Sequence, residues 1–170
     1  FETDEAKIQH FIDTAPDAIK KSIWQKRLGY VQHKKGNYEQ AIIHLKEAIA
    51  SNANNLDAIN ELAICYLETN RITQGYATLF ESLNKDPAYF DTNHIMGIAL
   101  YRQGEFIKAA PYLQQAYAYA PENEDAAFYQ TMALFFAGDE KSFQQAMSEL
   151  LAGSKEPAKL YKRVAQELFA

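Results

Sequence analysis

Cysteine, glycine and proline are scarce in this sequence, and long apolar runs are absent. Cys65 is the only cysteine among 170 residues, which excludes an intramolecular disulfide, and its place between Ile64 and Tyr66 predicts a buried side chain. No run of 18 apolar residues occurs, so the sequence predicts a soluble domain, cytoplasmic or periplasmic, without a membrane span. The formal net charge of −5 argues against a nucleic-acid partner, because nucleic-acid-binding domains usually present a basic face.

The sequence also lacks the motifs that carry common enzyme chemistry. It contains no glycine-rich phosphate loop, no H-E-x-x-H zinc motif and no nucleophile elbow. The four histidines are spread over different predicted helices, and a metal site from His33 and His94 would need a third ligand that is not evident. Acidic runs fall at predicted turns and helix starts, where carboxylates satisfy free N–H groups. We therefore expect no enzyme activity, no cofactor and no metal.

What the sequence does contain is a repeat with a period of 34 residues. Gly36, Asn70, Gly104 and Gly138 are separated by this interval of 34, and each suits a turn that needs a positive φ angle. Large and small residues keep the same period on both sides of the turn. The recurring sets are Leu28, Leu62 and Met96; Gly29, Ala63 and Gly97; Tyr38, Ile72 and Phe106; Ala41, Gly75 and Ala109; Leu45, Leu79 and Leu113; and Ala48, Ser82 and Ala116. This pattern predicts stacked helical hairpins, in which small residues let neighbouring helices approach closely.

These residues resemble the tetratricopeptide repeat family, whose pattern places an aromatic residue after the turn, spaced small residues, and proline at the end. The third repeat matches most fully, through Met96, Gly97, Gly104, Phe106, Ala109, Leu113, Ala116 and Pro121. The fourth keeps Gly138, but Phe143, Ala146 and Leu150 fall two positions late, which predicts a lengthened turn. The resemblance implies an all-α fold, a right-handed α-α superhelix of about four helical hairpins with flanking N- and C-terminal helices.

The period predicts a single solenoid domain over residues 1–170, with repeats at about 22–55, 56–89, 90–123 and a degenerate 124–157. The predicted helices lie near 4–14, 17–35, 38–51, 55–69, 72–85, 89–103, 106–119, 123–137, 140–152 and 156–169. The first is expected to be an N-terminal cap or the second helix of an incomplete repeat. The last has an apolar stripe that includes Leu160, Val164 and Leu168, and we expect it to cap the fourth repeat. The alternative is a mobile helix that docks in a groove.

The resemblance also implies where a partner would bind, since the first helix of each pair lines a concave groove in that family. Carrying the family's groove positions over to this sequence gives Lys26, Tyr30, His33, Asn60, Ile64, Leu67, His94, Ile98, Tyr101, Arg102, Phe128, Met132 and Phe135. For Ile64 and Ile98, packing between helices is an equally good interpretation. Together these residues predict a largely apolar groove with an aromatic wall. Such a surface suits an extended or helical peptide that carries apolar anchors.

The sequence therefore predicts a protein-interaction scaffold or adaptor that binds a partner peptide or helix. Similar short arrays act in bacterial secretion and pilus assembly, although no residue here is diagnostic of either. The competing interpretation is a structural segment of a larger self-assembling repeat protein, whose groove is filled by its own chain. Because the sequence begins with Phe1 and not with methionine, we expect that an upstream segment is missing, and a signal peptide, a lipid anchor and further repeats are the open alternatives for it.

Overall fold

Helices account for all the regular structure that the computed structural model describes, which comprises residues 2–169 and the side chains of residues 4–169. No strand occurs in that range. The helices are α1 (Glu2–Asp13), α2 (Ala18–Lys34), α3 (Tyr38–Ser51), α4 (Leu56–Glu68), α5 (Ile72–Lys85), α6 (Phe90–Arg102), α7 (Phe106–Tyr119), α8 (Glu124–Phe136), α9 (Glu140–Gly153) and α10 (Pro157–Phe169). The helices expected from the sequence period are confirmed to within about two residues at each end.

Short turns connect the two helices of each pair, and the residues spaced at the repeat interval lie in them. Gly36, Gly104 and Gly138 have φ angles of 78°, 76° and 80°, and Asn70 has a φ of 60°. Glycine adopts this left-handed region without the steric penalty of a Cβ atom, and asparagine tolerates it better than most residues. The repeat interval in the sequence thus follows from a backbone requirement at the turns.

The turn of the fourth pair does not have the extra length that the sequence suggested. Residues 137–139 join α8 to α9, just as residues 103–105 join α6 to α7. The prediction of a lengthened turn was wrong. The late position of Phe143 reflects a different side-chain pattern within α9, whose N-terminus is fixed by Asp139 accepting a hydrogen bond from the backbone N–H of Ser142 at 3.1 Å.

The described residues form two compact units, one ending at Pro87 and the other beginning at Ala88. In the first unit, α1 packs on α2 through a buried cluster of Ile8, Ile12 and Leu28. Farther along, α2 and α3 approach closely because α2 has a glycine at the contact. A Cβ atom added to Gly29 would lie 2.7 Å from Cγ of Leu45, so the absence of a side chain there sets the distance between the helices.

In the second unit, α6 and α7 also approach closely at a glycine. A Cβ atom added to Gly97 would lie 2.5 Å from Cγ of Leu113, which is fully buried. The core of this unit continues from α7 through α8 to the last helix, where Leu160 and Val164 join the same buried cluster. Among the helices of residues 2–169, none combines the length and the apolar character needed to cross a membrane.

Candidate functional site

The residues predicted for a groove lie on the first helices of the pairs, and in the first unit their exposure varies. Tyr30 is exposed and Lys26 is half-buried on α2, whereas His33 is buried between α2 and α4. On α4, Ile64 is half-buried and Asn60 is buried. The structure therefore places only part of the predicted set at the surface of this unit.

An exposed apolar stripe runs along α2, and it extends beyond the predicted residues. Ile19, Ile23 and Tyr30 are 62%, 51% and 44% exposed. Together with Lys26 they occur at intervals of 4, 3 and 4 residues, which places them on one face of the helix. The ammonium nitrogen of Lys34 lies 5.1 Å from the centroid of the Tyr30 ring. This face, the α2 stripe, thus combines apolar side chains with positive charge.

His33 connects α2 to α4 through two carboxylates. Its Nδ1 atom lies 2.5 Å from Oε1 of Glu61, and its Nε2 atom lies 2.8 Å from Oε2 of Glu68. Burial of the ring acts to lower its pKa, but the hydrogen bonds and charges of Glu61 and Glu68 together outweigh burial, so the His33 pKa lies above its usual value. The ring is best described as an imidazolium that donates to both carboxylates.

Cys65 also lies in the first unit, and it is fully buried, as the sequence predicted. Burial, reinforced by the nearby carboxylates of Glu61 and Glu68, raises the pKa of its thiol to about 12. A thiol with such a pKa remains protonated near neutral pH, so it is a poor nucleophile there. Within the part of the chain that the structure describes, no group of three candidate ligands is placed to hold a metal ion.

In the second unit, α10 lies over the predicted groove positions of α6 and α8. Phe128 and Met132 are 1% and 0% exposed and share a buried cluster with Leu160 and Val164 of α10. Phe128 and Met132 were expected to line a groove, but the structure places both in the interior, in a buried cluster that contains residues of α7, α9 and α10, with Arg163 of α10 over the Phe128 ring. We call this surface of α6 and α8, including Tyr101 and Asp125, the α6/α8 face.

Polar contacts hold α10 at the α6/α8 face. The guanidinium Nη2 of Arg163 donates to Oδ1 of Asp125 at 2.6 Å, and its carbon Cζ lies 3.7 Å from the centroid of the Phe128 ring. The hydroxyl of Tyr101 donates to Oε1 of Glu167 at 2.7 Å. Burial and the neighbouring carboxylate of Glu167 raise the pKa of Tyr101, so its hydroxyl remains a donor.

His94 lies at the edge of the α6/α8 face. Its Nε2 atom is 3.6 Å from Oδ2 of Asp125, and its ring stacks on Phe90 with centroids 5.2 Å apart. Burial lowers the pKa of His94, although the charges of Asp125 and Asp91 oppose this change. His94 is therefore mainly neutral near pH 7, and Arg163 is the cation that pairs with Asp125.

The remaining predicted residues lie at different depths. Arg102 and Phe135 are exposed and Ile98 is half-buried. Leu67 packs against α5, where a Cβ atom added to Gly75 would lie 2.7 Å from its Cγ atom. Leu67 was expected at the groove and instead fills the space left by this glycine, because a helical hairpin needs a large residue opposite a small one.

Several residues that shape these surfaces were not predicted from the sequence. Ile19 and Ile23 could have been found from the sequence, because they lie four residues apart and Tyr30 follows seven residues after Ile23, which places all three on one helix face. For Arg163 and Glu167 the sequence carried no comparable signal, because their partners are defined only when α10 is placed against α6 and α8.

Comparisons of sequence and structure agree on one family. Sequence profiles described as tetratricopeptide repeat match residues 32–91 and residues 96–155. A search of curated protein sequences gives no match. Among solved structures, MamA residues 41 to the end from Desulfovibrio magneticus RS-1 superposes with a TM-score of 0.74 and 17% identity, covering 86% of this chain and 82% of that one.

Two further structures show the same fold. A crystal structure of MamA has a TM-score of 0.73 with 16% identity, covering 91% of this chain and 89% of that chain. MamA AMB-1 has a TM-score of 0.69 with 21% identity, covering 86% and 80%. At these identities the likeness concerns the fold alone, and it agrees with a solenoid of helical hairpins. The turn residues, the glycine–leucine contacts and the two profile matches together show that this chain belongs to the tetratricopeptide repeat family, whose members serve as protein-interaction scaffolds.

Proposed function

We propose that this protein is an adaptor that holds an acidic, apolar-anchored segment of a partner protein against the α2 stripe. The observation that carries the proposal is the exposure of Ile19, Ile23 and Tyr30 on one face of α2. Single exposed apolar residues are common on protein surfaces, but three of them on one helix face are typical of an interaction site. A partner helix or extended peptide with apolar residues at matching intervals would bury these residues.

The charge of α2 indicates the kind of partner that fits. Its charged residues include Lys20, Lys21, Lys26, Arg27 and Lys34, and the helix contains no carboxylate, although the whole chain has a formal net charge of −5. Complementary charge favours an acidic segment, because it speeds association and disfavours basic competitors. The apolar anchors would supply most of the affinity, so we expect binding to weaken with salt and still persist at moderate ionic strength.

A designed peptide tests this proposal directly. We would measure fluorescence anisotropy of a labelled amphipathic helix with leucine on one face and glutamate on the other, and of the same helix with lysine in place of glutamate. The full chain should bind the acidic peptide and not the basic one. Ile23→Ser should weaken binding by about tenfold, since a buried anchor residue contributes on the order of 1–2 kcal/mol.

The matched control is Ile43→Ser, because Ile43 is 47% exposed on α3, close to the 51% of Ile23. It makes the same chemical change on a second helix of a pair and should leave the peptide affinity unaltered. Equal losses from the two variants would contradict the proposal. So would tighter binding of a duplex DNA probe than of the acidic peptide at physiological salt.

We also propose that the adaptor acts in bacterial secretion or pilus assembly, which rests only on the resemblance to short arrays of this family. A second candidate is a structural segment that fills its own first-helix surface. The contact of Arg163 of α10 with the Phe128 ring favours this second candidate. Light scattering distinguishes the two. The average molar mass of a self-assembling segment rises with its concentration, whereas an adaptor keeps the mass of one chain at every concentration.

A further inference from the structure

The way α10 meets the α6/α8 face differs from the way the repeat helices meet each other. Within a pair, helices approach closely where glycine faces leucine, as at Gly97 and Leu113. By contrast α10 contains no glycine, and its backbone remains farther from its neighbours than the backbones of α8 and α9 are from each other. Its attachment depends on side chains alone: two buried aliphatic residues, one arginine and one glutamate. A helix bound in a groove of another protein is held in the same way, by apolar anchors on one face.

The attachment consists of a small set of residues on one side of a short helix. Leu160 and Val164, four residues apart, are buried in the cluster that also contains Tyr101 of α6 and Phe128 of α8. Arg163 covers the Phe128 ring and pairs with Asp125. One helical turn after Arg163, the carboxylate of Glu167 accepts the hydrogen bond from the hydroxyl of Tyr101. This carboxylate is the last of the contact residues along α10.

The segment that joins α10 to α9 is short. Residues 154–156 are the whole connection, and the hydroxyl of Ser154 donates to Oε2 of Glu124 at 3.0 Å. Such a tether holds α10 near its surface at an effective concentration on the order of millimolar. A free helix of the same composition therefore competes poorly with α10 unless α10 is weakened or the free helix binds more tightly.

We propose that α10 is an intramolecular ligand of the α6/α8 face, and that this face recognises a helix with two aliphatic residues four apart, arginine before the second, and a carboxylate one turn later. A partner helix of this chemistry would bind by displacing α10. The aliphatic residues enter the buried cluster that contains Phe128 and Met132, while the arginine supplies both the ring contact and the ion pair with Asp125. All these residues belong to the second unit, so binding at the α6/α8 face is independent of binding at the α2 stripe.

The test measures binding of a fluorescein-labelled peptide, with the sequence of residues 154–169, to the 170-residue chain. Arg163→Glu in the chain places two carboxylates opposite each other and weakens the resident α10. We expect this variant to bind the peptide about tenfold more tightly than the wild-type chain does, because the tethered competitor is weaker. Lys162→Glu is the matched control, since it makes the same charge change at an exposed position of α10 and should not alter peptide binding.

A second variant tests recognition separately from folding. In the chain carrying Asp125→Lys, a peptide with glutamate in place of Arg163 should bind more tightly than the unchanged peptide, which reverses the wild-type preference. This reversal would show that binding to the α6/α8 face depends on the charge of the peptide residue that corresponds to Arg163. The proposal is overturned if Arg163→Glu lowers the melting temperature without any gain in peptide binding, or if the Asp125→Lys chain does not distinguish the two peptides. Either result would make α10 a permanent cap.

Discussion

The contact between Gly97 and Leu113 should respond to a single added methyl group. A Cβ atom at residue 97 would lie 2.5 Å from both Cγ and Cδ2 of Leu113 and 3.2 Å from its backbone nitrogen. Leu113 is fully buried, so its side chain cannot move into solvent. Gly97→Ala should gain about 1 kcal/mol from helix propensity and lose about 1–3 kcal/mol from overpacking. We therefore expect a net loss of up to about 2 kcal/mol in the free energy of unfolding.

Urea denaturation followed by circular dichroism measures this loss. The matched control is Gly153→Ala, because a Cβ atom at Gly153 has no atom within 4 Å. This control should be neutral or slightly stabilising. Leu113→Ala alone should destabilise by about 2–5 kcal/mol, and adding Gly97→Ala to it should cost less than in the wild-type chain, since the larger side chain is gone.

Two results would refute this reasoning. One is a Gly97→Ala chain more stable than the wild type, which would mean that α6 and α7 separate without loss of packing. The other is strict additivity of Gly97→Ala and Leu113→Ala in the double variant. Residues in direct contact usually show coupling of about 0.5–3 kcal/mol, so additivity would place them apart.

Further predictions concern titration and reactivity. The pKa of His33 is raised in the folded state. Its ion pairs with Glu61 and Glu68 therefore stabilise the folded chain fully below pH 6.5, the pKa of the unfolded state, and this stabilisation is lost as the pH rises through the folded pKa. The stability difference between wild type and His33→Gln, measured by urea denaturation, should therefore shrink from pH 6 to pH 9; a constant difference would contradict the ion pairs. Cys65 should resist iodoacetamide at pH 8 until the chain unfolds, and mass spectrometry showing rapid labelling of the native chain would exclude its burial. Tyr101→Phe removes the hydroxyl that donates to α10 and should speed amide hydrogen exchange in α10, whereas unchanged exchange would mean that this hydrogen bond does not hold the helix.

The fold could be predicted from the sequence because its constraints are local and repeated. A turn that needs a positive φ angle admits few residue types, so Gly36, Asn70 and Gly104 mark it each time. The close helix contacts likewise require one small residue opposite one large residue. Repeat four was harder to read, because only Gly138 carries a backbone requirement there and the apolar pattern of α9 is not constrained in the same way.

The surfaces that bind partners were less predictable, since they depend on what covers them. An apolar stripe such as Leu160 and Val164 looks the same in sequence whether its helix extends a stack or lies on a ligand surface. The position of Phe128 on a first helix indicated a groove lining, yet the ring is buried, and Arg163, which is distant in sequence, lies over it. Burial of this kind follows from the tertiary arrangement and has no periodic signature.

The packing of α1 on α2 has a spectroscopic consequence. Trp24 is the only tryptophan in the chain. It stacks on Phe11 with ring centroids 4.5 Å apart, and the guanidinium carbon of Arg27 lies 5.8 Å from its ring. Tryptophan emission therefore reports on this one contact in the first unit, while far-ultraviolet ellipticity reports on helices of both units. If the α1–α2 contact is lost before the rest of the chain unfolds, the wavelength of maximum tryptophan emission will shift while the ellipticity is still constant.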